Sequence, residues 1–176
     1  SSGNLSASVG EKGVVAIAEP LSWGPCEVIQ TIIPGEDLTP YIGYDVTNEK
    51  ALFLKEMMKG SDTTPGPIKI LLYRPKGTGG VKASGTIGAL SVTALYEGIR
   101  GNDITMIVQE DPDTGGTYVV STVVDGRTVD EQTVTALSEL SANAWVTFSG
   151  SGNTFTETAG TALSGPTTSG LMLPDS

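Results

Sequence analysis

The stretch 91–108 constrains this chain more than any other. Val92, Ala94 and Tyr96 alternate on one face, and so do Ile104, Met106 and Val108. A period of two is the signature of strands that bury one face. Between the two runs lies Glu97-Gly98-Ile99-Arg100-Gly101-Asn102-Asp103. Its two glycines can take positive φ, and Asn and Asp can bond their own backbone. The segment therefore reads as a shaped turn joining two core strands. Gly98, Gly101 and Asn102 form the connection while Tyr96 packs in the core. Arg100 could serve an ion pair with Glu97 or Asp103 across the turn, or one towards a neighbouring subunit.

Composition points the same way. The 176 residues include 23 Gly and 10 Pro, with 38% hydrophobic and only 17% charged residues. Few charges and abundant glycine, Thr, Ser and Val favour β-structure with many turns. That length holds one ordinary domain or two small ones, with a real core. The net charge of −10 and the pI near 4.3 argue against a nucleic-acid partner, which needs clustered Lys and Arg. No window is apolar enough to span a bilayer as a helix, so no membrane insertion is expected. The single Cys26 excludes an intrachain disulfide framework and reads as a small buried hydrophobe. The ends look like cuts through a larger protein.

Taken in order, residues 1–10 read as a flexible lead-in. The apolar run 13–18 predicts a strand buried on both faces. A loop at Leu21-Ser22-Trp23-Gly24-Pro25 follows, because proline disfavours helix at the residue before it. Residues 27–33 predict a second strand. A helix is expected over 48–59, with Thr47 or Asn48 as N-cap, Ala51, Leu52, Leu54, Met57 and Met58 as its apolar stripe, and Gly60 closing it. Residues 67–75 predict a strand between two prolines. This α/β order, in residues 1–75, ends at a linker over 76–82.

A mostly antiparallel β domain, a sandwich or barrel, is expected over 83–165, with an exit linker at 166–176. Its predicted strands are 86–96, 103–110, 117–124, 127–134, 145–148 and 155–159. Residues 111–116 form a turn, Asp125-Gly126 predicts a type I′ hairpin, and 136–143 form one short helix capped by Thr135. The fold class is therefore α+β.

Chemistry is sparse. The chain has no histidine, which removes imidazole-based triads, general bases and zinc ligands together. The glycines at 77–80 lack the following helix that a phosphate cradle needs. Asp111-x-Asp113-x-Gly115 resembles the start of a calcium loop, yet the twelfth position from Asp111 is Thr122 rather than an acid. A simple β-turn accounts for it. Asn4-Leu5-Ser6 matches a glycosylation pattern by chance, and the pairs Glu36-Asp37 and Asp130-Glu131 read as solvated surface. No catalytic, cofactor-binding or metal site is expected.

Residues 94–104 resemble the segment A-x-Y-x-G-x-x-G-N-D-I of contractile tail sheath proteins of myovirus-type phages and phage-like bacteriocins. Residues 13–25 resemble the family's early G-V-V-A-x-P-x-x-W-G-P segment, with Trp23, Gly24 and Pro25 matching its end. Leu72-Tyr73-Arg74 before a Gly/Lys linker, and Trp145-Val146 before a Gly/Ser/Thr stretch, extend the likeness over about residues 11–165. The family's P-G-V-Y arm and large C-terminal domain are missing, so the resemblance implies an N-terminal portion.

In that family, subunits form stacked six-fold rings around a tail tube and link by adding strands to one another's sheets. Contraction then drives the tube through the target envelope. The resemblance thus implies a virion tail or phage-like particle assembled in the bacterial cytoplasm, with other sheath subunits and the tube protein as partners. By itself this portion is expected to be monomeric. The residues it marks as structural are Trp23, Gly24, Pro25, Tyr96, Gly98, Arg100, Gly101, Asn102 and Asp103. The competing reading is a secreted or surface β-rich adhesion or carbohydrate-binding module, which accounts for the acidity and Thr/Ser content but not for the motifs.

Overall fold

The computed structural model describes residues 13–167 together with the backbone of the strand Ser6–Val9. The chain divides into two compact units, one running to Gly80 and the other spanning Val81–Thr167.

The first unit is built on strands β1 (Ser6–Val9), β2 (Val14–Ala18), β3 (Ile29–Ile32) and β4 (Lys69–Tyr73), in the order β1-β2-β4-β3. β2 and β4 run parallel, with Val14 opposite Lys69 and Ala18 opposite Tyr73. A parallel pair needs a long connection, and the segment between them holds β3 and the helices. β1 therefore corrects the flexible reading of residues 1–10, since Ser6–Val9 pairs antiparallel with β2. The Asn4 pattern lies outside the described residues.

The helical region also differs from expectation. A four-residue helix, α1 (Thr39–Ile42), begins with Pro40 in its first turn and ends on Gly43 at φ 81°, a combination favoured by the fixed φ of proline and the freedom of glycine. Asn48 does cap, its side chain accepting from the Lys50 N–H at 2.9 Å. What it caps is a 3₁₀ turn, Glu49–Ala51, followed by α2 (Leu52–Met58). Gly60 does not close α2. Lys59 is already extended, and Gly60 serves close approach instead, since a Cβ there would lie 2.6 Å from the Gly66 nitrogen. Of the expected stripe, Ala51 and Leu54 are buried, but Leu52 faces solvent. The core joins them to Ile17, Ile32, Ile70 and Leu72, with Met57 and Met58 packed at its margin.

The second unit has two sheets: β5 (Lys82–Ile87), β6 (Leu90–Glu97) and β10 (Val146–Ser149) in one, and β7 (Ile104–Glu110), β8 (Tyr118–Val124), β9 (Arg127–Val134) and β11 (Thr158–Ala162) in the other. Their orders are β10-β6-β5 and β11-β7-β8-β9, every pair antiparallel. Each buries one face: Val92 and Ala94 from the first, Ile104, Met106 and Val108 from the second. The alternation seen in 91–108 thus lines the core of a β-sandwich.

Several boundaries move. The single strand expected over 86–96 is a hairpin, because Gly88 at φ 59° opens a two-residue turn between Ile87 and Leu90. Lys82 is therefore strand rather than linker. Asp125 and Gly126 both have positive φ, as a type I′ turn requires. The helix expected at 136–143 is only a 3₁₀ turn, Leu137–Glu139, with Ala136 rather than Thr135 at its N-cap. The last strand lies at Thr158–Ala162 instead of 155–159. Pro166, placed in the exit linker by sequence, is buried on this unit. Residues 168–176 lie outside the described residues.

In the two acidic pairs, Glu36, Asp37 and Asp130 hold local structure rather than being merely solvated. Glu36 accepts from the Ile33 N–H at 2.9 Å and from the Tyr41 hydroxyl at 2.5 Å, and Asp37 accepts from the Thr39 N–H at 3.0 Å. Asp130 accepts from Gln132 and Asn143. The Tyr41 hydrogen bond, followed by the Ile33 N–H, holds the Glu36 carboxyl below its ordinary value of 4.5. A depressed folded-state value makes this contribution to stability present above the unfolded value and lost as pH falls through the folded one. Tyr41→Phe is expected to remove part of the fall in thermal midpoint below about pH 4.5 and to leave the slope near neutrality unchanged. Thermal melts of both proteins across that range would check this, with parallel curves counting against the assignment.

Candidate functional site

The residues singled out by sequence form two packed connections, one in each unit. In the second unit, Gly98 (φ 129°) ends β6 and a 3₁₀ turn, Ile99–Asp103, leads into β7. Of the two glycines credited with positive φ, only Gly98 uses it. Gly101 is required for space. A Cβ there would stand 2.8 Å from the Ala83 Cβ and 3.2 Å from the Ala94 Cβ, so the turn lies directly on β5 and β6. Asn102 reaches back to donate to the Pro166 carbonyl at 2.7 Å, while its own buried Oδ1 has no hydrogen-bond partner. Tyr96 is half-buried rather than a full core residue.

Arg100 is the centre of this connection. It is only 4% exposed. Nη1 donates to Asp103 Oδ2 at 2.8 Å and to Asp125 Oδ1 at 3.0 Å, and Nη2 donates to Asp125 Oδ2 at 2.8 Å. Of the two partners weighed by sequence within the turn, Asp103 takes part. The bidentate partner, Asp125, comes from the β8–β9 turn and is invisible to local reading. The Trp145 ring lies beneath the guanidinium, 5.5 Å from Cζ to centroid. A planar fork of donors suits both a bidentate carboxylate and an aromatic face. The result ties the turn between the two sheets to a hairpin of one and the residue leading into β10 of the other. Asn143 adds a second tie: its Oδ1 accepts from the Trp145 and Val146 N–H groups, and its Nδ2 donates to Thr122 and Asp130.

In the first unit, Trp23 is buried at 1% exposure and leaves so little room that a Cβ on Gly43 would lie 2.8 Å from it. Gly24, at φ 98°, faces the Tyr41 carbonyl oxygen, which a Cβ would meet at 2.1 Å. The Gly24 carbonyl accepts from Arg74 Nη1 at 2.6 Å, and Arg74 is itself buried. Pro25 is half-buried. A second arginine, just past β4, thus fixes the connection between β2 and β3.

These arrangements fix the connections within each unit. In the turn at 111–116, Asp111 accepts from the Asp113 N–H and Glu110 from the Gly116 N–H, so backbone donors occupy these acids. Among the described residues no group of three or more His, Cys, Asp or Glu could hold a metal ion, and no helix is long and apolar enough to cross a membrane.

The chain thus holds a small mixed α/β unit and a β-sandwich with a clamped turn. Residues 78–167 match the family model described as phage tail sheath protein beta-sandwich domain. The chain belongs to the phage tail sheath protein family. It is similar to the sheath tail protein DSY3957 of Desulfitobacterium hafniense, with a TM-score of 0.82 and 40% identity over 93% of this chain and 37% of that one. It is also similar to the sheath tail protein Lin1278 of Listeria innocua, with a TM-score of 0.75 and 31% identity over 92% and 35%. The phage-like element PBSX protein XkdK of Bacillus subtilis is 35% identical over 147 residues, 83% of this chain and 30% of the relative. The uncharacterised protein YqbK of the same bacterium is 37% identical over 174 residues, 94% and 36%. The chain thus spans about a third of the length of these relatives.

Two sets of substitutions test the connections. Asp125→Asn is expected to lose about 1–2 kcal/mol, because it leaves a buried guanidinium short of a charged acceptor. Arg100→Lys should lose about 1–3 kcal/mol, because an ammonium cannot reproduce the bidentate fork. The Arg100→Lys/Asp125→Asn pair should cost less than the sum of the single changes. In the first unit, Gly24→Ala should cost at least about 2 kcal/mol, combining strain with collision. Gly35→Ala, also at positive φ but with no atom within 4 Å of the added Cβ, should cost clearly less. Urea unfolding measures all of them, and equal losses for the two glycines would refute the collision argument.

Proposed function

We propose that this chain is the N-terminal portion of a contractile tail sheath subunit, which polymerises around a tail tube and contracts to drive that tube through a target envelope. The observation that carries this reading is the likeness to a solved sheath tail protein at 40% identity, running through 93% of the chain. The physical character of the two units supports it. Their polar investment goes into locking connections, as a part that transmits force requires, and the marked residues Trp23, Gly24, Pro25, Gly98, Arg100 and Gly101 are placed by packing. On this reading the partners are other sheath subunits, arranged in six-fold rings, and the tube protein. The particle is a phage or phage-like tail assembled in the bacterial cytoplasm. We expect the chain by itself to be monomeric.

The test is a chimera in which this chain replaces the matching segment of the Listeria innocua sheath tail protein, viewed by negative-stain electron microscopy. Tubular sheaths of regular axial repeat are expected. A soluble, folded chimera that forms no tubes or rings, where the unmodified protein does, would overturn the reading. Sedimentation of the present chain at high concentration checks the second point: one monomeric species is expected, and ordered polymers would contradict it.

A further inference from the structure

The chain enters the second unit and leaves it at the same place. Ser84 and Ser164 exchange backbone hydrogen bonds in an antiparallel bridge, the Ser84 N–H donating at 2.9 Å and the Ser164 N–H at 3.0 Å. Beside them Leu163 is buried, its N–H donating to the Ile104 carbonyl at 2.9 Å. Gly165, at φ 137°, lies so near the incoming backbone that a Cβ would stand 3.6 Å from the Lys82 carbonyl oxygen. β5 and β11 are each the last strand of their sheet, so this neck is where the two sheet edges meet. The turn at 98–103 holds both backbones. The Gly98 N–H donates to the Val81 carbonyl on the incoming side at 3.0 Å, and Asn102 donates to the Pro166 carbonyl on the outgoing side. The turn is a firm base for this, because Gly101 sits against Ala83 and Ala94 and Arg100 is anchored to Asp125. Asn102 keeps its place although its buried Oδ1 has no partner, an arrangement that is unfavourable by itself and that the donor on the same amide offsets.

We propose that the turn at 98–103 is a clasp on this neck, and that it keeps the sandwich closed when the incoming and outgoing chains are pulled apart. Both chains leave the Ser84–Ser164 bridge at the same end. Tension between them therefore acts across the bonds of the neck rather than along the strands, and loads those bonds one after another. A neck held by the bridge alone would peel open from that end. Gly98 and Asn102 grip the two chains outside the bridge, at Val81 and Pro166. Tension thus passes into β6 and β7, which the turn connects, before it reaches the bridge. The clasp acts within the second unit and does not depend on assembly into a sheath.

Hydrogen exchange of the full chain, read by NMR, tests the neck without any substitution. The Ser84, Gly98 and Ser164 amides are expected to share one opening equilibrium, because releasing the clasp frees all three. Protection that differs more than about tenfold among them would overturn the clasp. Asn102→Ala should speed exchange at these amides about fivefold, the worth of one hydrogen bond. The Asp111 amide, which donates to the Thr117 carbonyl at 2.7 Å at the opposite end of β7, should not change. Force spectroscopy supplies the direction. In a Cys26→Ala chain tethered through Thr78→Cys and Thr167→Cys, Asn102→Ala should make the sandwich open about fivefold faster at a given tension. Tethering through Thr78→Cys and Thr114→Cys should show little effect of the same substitution, because Pro166 then lies outside the path of the tension. Equal acceleration along both directions, or none along the first, would overturn the proposal.

Discussion

The second unit depends on one buried cation. Arg100, held between Asp103, Asp125 and the face of Trp145, sits where the chain passes from one sheet of the sandwich to the other. A guanidinium at 4% exposure would be costly without partners. Its acids are 47% and 56% exposed at the side chain, so they keep much of their own hydration while neutralising it. That asymmetry lowers the desolvation cost and still fixes three connections to one another. Gly98 and Gly101 are consequences of the same demand, one for the backbone direction and one for the space beneath the turn.

The first unit solves a related problem with a neutral acceptor. Arg74 donates to the Gly24 carbonyl, and the loop between β2 and β3 is shaped by Gly24 and closed over Trp23. In both units a buried arginine anchors irregular backbone, where no ladder of strand hydrogen bonds exists to hold it. Loops fixed in this way move with the sheets they join. This arrangement also leaves the polar groups near the motifs engaged in structure.

With no histidine in the chain, most catalytic constellations have no base to build on. Glu36, Asp37, Asp111 and Asp130, which read from sequence as turn or solvated-surface acids, accept from backbone or side-chain donors. Glu19 stands apart from these, with a buried oxygen lacking a partner beside an open cavity.

Local physics made much of the fold legible. The period-two alternation of Val92, Ala94, Ile104, Met106 and Val108 determined which side chains enter the sandwich, because a strand's geometry admits no other periodicity. Asp125-Gly126 determined its hairpin, since few residue pairs tolerate two positive φ values in succession. The α+β class was determined in the same way, whereas the choice of Asn48 over Thr47 as the cap was settled only by the structure. Other features were decided only by tertiary structure. The hairpin at Gly88 lay hidden because a lone glycine within an apolar strand signals a turn no better than a bulge. Leu52 faced outwards because a 3₁₀ turn rotates the stripe away from the ideal helical spacing. Asp125 could be read as a turn residue but not as the partner of Arg100, since the two are 25 positions apart. Their meeting is an outcome of sheet registry: only when β7, β8 and β9 pair does the hairpin carry a carboxylate to the guanidinium.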